Sequence, residues 1–106
     1  MIDITDVRVL CSDETTVLTQ HLQKRLRERG IKYDDIVHAI MHGEIIEQYE
    51  NDFPHPSCLI LGVDAGGEPL HIVCGVSGGT LWIVTTYRPS ADKWETDFKT
   101  RKGLEQ

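Results

Sequence analysis

The hydrophobic period of this chain changes once, at Glu44, and that change limits the folds open to it. Before Glu44, apolar residues recur at helical spacing; after it, they alternate with a period of two. Val17, Leu18, Leu22 and Leu26 form one helical stripe, and Gly30 followed by apolar Ile31 is a natural helix stop. Tyr33, Ile36, Val37, Ile40 and Met41 form a second stripe ending at Gly43, with Asp34 and Asp35 in the first turn, where the helix dipole favours carboxylates. Ile2, Thr5, Val7 and Leu10 give a fainter helical pattern at the N-terminus.

Beyond Glu44, residues 45–49 read as an edge strand, interrupted at Phe53-Pro54-His55-Pro56 because proline cannot continue a ladder. Residues 57–63, 69–76 and 80–87 read as three further strands, separated by Asp64-Ala65-Gly66-Gly67-Glu68 and Ser77-Gly78-Gly79. Turns this short join antiparallel neighbours. The expected fold is α+β: N-terminal helices packed on a four-stranded antiparallel sheet, with a short C-terminal helix or extended tail holding Pro89, Trp94 and Phe98. One domain over residues 1–106 is expected from the length. The last two strands are apolar on both faces, so both need cover. The helices supply one cover; the tail, a second subunit or a partner supplies the other.

Charge adds a second constraint. The chain carries a net −6, with 11 Lys and Arg against 17 Asp and Glu. The basic residues fall in two blocks, Lys24 to Lys32 and Arg88 to Lys102, with Arg8 alone near the start. This balance excludes a nucleic-acid binder held by bulk charge, yet permits a local basic cleft where the blocks meet. No apolar run is long enough for a membrane span, and the first residues lack a secretory pattern, so a cytoplasmic protein without membrane contact is expected. Cys11, Cys58 and Cys74 are widely spaced, without a C-x-x-C pair, and read as reduced, mostly buried thiols. His38 and His42 lie one turn apart on the helix that carries the second stripe, without a suggested third ligand. They read as surface residues, and no metal or cofactor is expected.

A longer pattern runs through the chain. It reads His21-x-x-x-Arg25-x-x-x-Arg29-Gly30-Ile31, Asp35-Ile36, Gly43-Glu44-Ile45-Ile46-Glu47-x-Tyr49 and Pro56-Ser57-x-Leu59-Ile60-Leu61-Gly62. It continues through Pro69-Leu70-His71-Ile72-Val73, Thr86-Tyr87-x-Pro89 and Trp94-x-x-Asp97-Phe98-Lys99-x-Arg101. Over Thr19 to Lys102 this resembles a bacterial domain-of-unknown-function family related to the RelE/ParE toxin superfamily, BrnT-like in style. The resemblance implies helices on an antiparallel sheet, a toxin-like role, ribonuclease activity as in superfamily relatives, and a cognate antitoxin of the YgiT/MqsA zinc-finger type. The chain departs from that pattern in its acidity and at Lys32, where a capping Ser is preferred.

Under this resemblance the candidate residues acquire roles in a metal-independent ribonuclease. His71 or His21 serves as general base, Arg25 and Arg29 stabilise the phosphorane charge, and Tyr87 or Lys99 gives support. Lys24, Arg88, Lys99 and Arg101 are the candidate RNA contacts. His21, Arg25 and Arg29 share one helix flank; the plainer reading of that flank is a solvated, salt-bridged face. For His71 the plainer reading is a satisfied core or interface histidine, and for Tyr87 an aromatic sheet residue with a polar tip. Trp94 and Phe98 read as core cover. The alternative function is a non-enzymatic interaction module that forms a homodimer or binds a partner protein through its apolar sheet.

Overall fold

A computed structural model of the chain describes residues 1–103. It is a mixed α+β fold of three helices and one open five-stranded sheet. Helix α1 (Ile4–Leu10) is capped by Asp3, whose carboxylate accepts the Thr5 N–H at 2.7 Å. Helix α2 (Gln20–Arg29) is capped by the Thr19 hydroxyl, which accepts the Leu22 N–H at 3.1 Å. It stops at Gly30, where φ is 68°. Helix α3 (Tyr33–His42) follows at once. Lys32 occupies its N-cap and has no side-chain acceptor to offer, but the Asp35 carboxylate accepts the Lys32 N–H at 2.9 Å.

The expected four-stranded antiparallel sheet is corrected in one respect. Val17 and Leu18 do not join the helical stripe; they form a short strand, β1 (Thr16–Leu18). It runs parallel to β5 (Thr80–Tyr87), with Thr16 opposite Leu81 and Leu18 opposite Ile83. The remaining strands are β2 (Glu44–Tyr49), β3 (Ser57–Val63) and β4 (Pro69–Ser77), and the order across the sheet is β1-β5-β4-β3-β2. The four long strands pair antiparallel, with β2 at the edge as expected. The Thr19 cap ends the strand and starts the helix within one residue, so the leucine spacing is shared by two elements.

The helices cover one sheet face. Val7, Leu22, Leu26, Ile36 and Ile40 pack with Ile60, Leu70, Ile72, Leu81 and Ile83 into one buried core. Helix α3 approaches β3 closely at Gly62, where an added Cβ would stand 2.3 Å from the Ala39 carbonyl oxygen. Cys58 and Cys74 are buried in this core as free thiols, opposite one another with sulfurs 3.9 Å apart; Cys11 is half-buried.

The opposite face carries Leu59, His71, Val73 and Tyr87, as the alternation of β3, β4 and β5 requires. The chain after Tyr87 covers part of it. That segment is neither a helix nor a simple extended tail. It turns and closes on itself through a single antiparallel bridge, Trp94 with Arg101. Trp94 is buried against His71, which makes the core-cover reading of Trp94 the observed one. Among the described residues, no helix is long and apolar enough to cross a membrane.

Candidate functional site

His71 sits mid-strand on β4, opposite Tyr87 on β5, with no surface exposed. Its Nε2 lies 2.8 Å from the Phe98 carbonyl oxygen and its Nδ1 3.4 Å from the Tyr87 hydroxyl. A carbonyl only accepts, so Nε2 carries the ring proton and Nδ1 is left as an acceptor facing the phenol. Burial lowers the His71 pKa, the Phe98 carbonyl and the Glu47 carboxylate oppose that, and the balance leaves the ring neutral at physiological pH. Burial raises the Tyr87 pKa, so the phenol keeps its proton. The His71 ring meets the Trp94 ring edge-on at 4.6 Å. Behind the pair, the Thr86 hydroxyl donates to the His71 carbonyl at 2.7 Å.

Arg101 closes the site from the tail. Its Nε and Nη2 each donate at 2.9 Å to the Glu47 carboxylate on β2, and its guanidinium lies 4.6 Å above the Trp94 ring. Tyr49 donates its hydroxyl proton to the same carboxylate. The Arg101 hydrogen bonds hold the Glu47 pKa below its ordinary value, while burial and Glu47 push Tyr49 up to about 12. Tyr87, Arg88, Ser90, Lys93, Trp94 and Arg101 line the resulting cleft of about 280 Å³. Arg88 pairs with Asp64 at 2.7 Å, and Lys93 makes no ion pair among the described residues.

His21, Arg25 and Arg29 do share one flank of α2, and with Leu22, Val84 and Thr85 they line a second groove of about 300 Å³. Arg29 Nη1 donates to the Thr86 carbonyl at 2.6 Å, on the stretch of β5 that the short β1 leaves unpaired. The groove and the cleft share no lining residue. Helix α2 stands on the core side of the sheet, whereas the cleft lies over Tyr87 on the other side; the groove reaches β5 at Val84 and Thr85. His21 and Arg25 therefore do not join His71, and the two basic blocks do not meet in one cleft. Lys24 is exposed on α2. Lys99 pairs with Glu44 at 3.2 Å, away from the cleft lining.

Sequence reasoning did not select Glu47, Tyr49, Ser90 or Lys93. The spacing Glu47-x-Tyr49 on an edge strand does place both on one face, which is the available signal. Nothing local links them to Arg101, 54 residues away. The family described as domain of unknown function (DUF4258) matches residues 18–88, which include His21, Arg25, Arg29, Glu47, His71 and Tyr87 but end before Trp94 and Arg101. No curated protein and no solved structure matches the chain.

Proposed function

The chain belongs to the DUF4258 domain family, and we propose that it acts as a toxin-like, metal-independent endoribonuclease of a bacterial toxin–antitoxin system. The observation that carries this reading is the Tyr87 hydroxyl at a cationic cleft with the unprotonated Nδ1 of His71 behind it. His71 has no exposed surface, so it reaches a substrate only through Tyr87. In the proposed step the 2′-hydroxyl of RNA gives its proton to the Tyr87 oxygen as Tyr87 gives its own proton to His71 Nδ1. The 2′-oxygen attacks the phosphorus and the P–O bond to the 5′-oxygen breaks. That leaving oxygen takes a proton from the Lys93 ammonium, which solvent restores. Arg101 and Lys93 offset the charge on the phosphorane.

The α2 groove extends this surface. A single strand that rounded the open edge of β5 beyond β1 would bring its neighbouring phosphates to Arg25 and Arg29. RNA binding is then local and electrostatic, compatible with a net −6 chain. Expression in bacteria tests the reading: the wild-type chain arrests growth, and Tyr87→Phe and Lys93→Glu both relieve the arrest at equal protein level. Arrest that persists in both variants sinks it.

A second reading, the protein-interaction module, is favoured by one observation. Phe53 is 95% exposed beside Trp82 and Val84, around an apolar groove of about 330 Å³. A self-association constant measured by sedimentation, compared with that of Phe53→Ser, tests the homodimer form of this reading.

A further inference from the structure

Helix α3 carries two histidines one turn apart whose ring nitrogens are already sorted. His38 Nδ1 lies 2.9 Å from the Val63 carbonyl oxygen, and His42 Nδ1 lies 3.0 Å from the His38 carbonyl oxygen. Each carbonyl only accepts, so in the neutral rings each Nδ1 holds the proton. Both Nε2 atoms are thereby left as lone-pair donors. Metal-binding imidazoles are oriented in this way, with the far nitrogen donating to a carbonyl that fixes tautomer and ring plane.

The two rings stack with centroids 4.3 Å apart and planes 30° from parallel. Side chains four residues apart lie on one helix face, the spacing by which two histidines of a helix bind one zinc ion. His42 is exposed and His38 half-buried, which leaves them open to solvent. We propose that His38 and His42 form a two-imidazole chelate for a divalent transition ion of the zinc, nickel or copper class. Imidazole nitrogen suits those ions, whereas magnesium and calcium seek oxygen. Among the described residues, no third His, Cys, Asp or Glu joins the pair. The remaining coordination positions belong to water or another exchangeable ligand, so the site is open and weaker than a closed four-ligand centre. It shares no residue with the Tyr87 cleft.

Calorimetric titration of zinc chloride into the full chain tests this, with the imidazole resonances followed in parallel. The expected result is saturable binding that shifts the His38 and His42 rings and weakens at least about tenfold in His42→Ala, with His55→Ala unchanged. His42 is exposed at the end of α3, so its replacement leaves the fold in place, and a matched thermal melt verifies that. His38→Ala is the second variant and loses binding similarly. No saturable binding, or affinity in His42→Ala equal to wild type, overturns the proposal.

Discussion

His71 and Tyr87 stand directly opposite one another on β4 and β5, with the imidazole Nδ1 3.4 Å from the phenol oxygen. One ring is sealed inside the protein and the other opens on a basic cleft. The same imidazole, through Nε2, fastens the Phe98 carbonyl of the tail. His71 thus joins the chemistry of the cleft to the closure of its wall.

His71→Ala is expected to destabilise the fold by roughly 2–4 kcal/mol, since it opens a cavity and leaves the Phe98 carbonyl without its donor. The tail is the part released. Trypsin cleavage at Lys93 and Lys99 should speed up before global unfolding does, read by mass spectrometry under native conditions. Cleavage at the wild-type rate would show that His71 does not hold the tail.

The pH dependence of stability has a defined sign. Burial depresses the folded pKa of His71 below its ordinary 6.5, so the unfolded chain binds a proton that the folded chain refuses. Its stabilising effect is complete above 6.5 and is lost as pH falls through the folded value. Glu47 acts in a lower window, because its pKa is held below 4.5 by Arg101; its effect is present above 4.5 and lost as pH falls further. Urea midpoints of wild type and His71→Gln should converge as pH drops from neutral towards 5. A constant gap contradicts the assignment.

Gly62→Ala is expected to cost about 1–3 kcal/mol, because its Cβ would stand 2.3 Å from the Ala39 carbonyl oxygen and force α3 off β3. Gly66→Ala, whose Cβ would meet only the Asp64 carboxylate at 3.4 Å, serves as the control. Chemical denaturation of both variants checks the contrast.

The sheet was largely legible in the sequence because its long strands are short apolar runs set apart by segments that contain glycine or proline. Asp64 to Glu68 marks its turn plainly, and the Asp64 carboxylate does accept the Gly66 and Glu68 N–H groups at 2.8 and 2.9 Å. Strand β1 was not legible: Val17 and Leu18 fit the leucine stripe, and parallel pairing to residues 81–83 leaves no local mark. The candidate site was half legible. His71 and Tyr87 stood out as polar groups in apolar strands. The Glu47–Arg101 pair and the folding of Trp94 onto His71 depend on how the tail returns, which no spacing encodes.

The α2 groove should contribute phosphate contacts and little chemistry. Replacing Arg25 and Arg29 by Gln is expected to weaken binding of a single-stranded RNA and reduce the salt slope by about 1.4, the value for two lost phosphate contacts. Fluorescence anisotropy over a salt series measures it. An unchanged slope would remove the groove from the interface.

Single-turnover cleavage of a labelled single-stranded RNA by purified wild type and Tyr87→Phe tests the central claim most directly. The account predicts cleavage by wild type that leaves a 2′,3′-cyclic phosphate and persists in a metal chelator. It also predicts a rate about 10²- to 10⁴-fold lower in Tyr87→Phe, with RNA affinity unchanged. No cleavage by wild type, or equal rates for the two proteins, contradicts it.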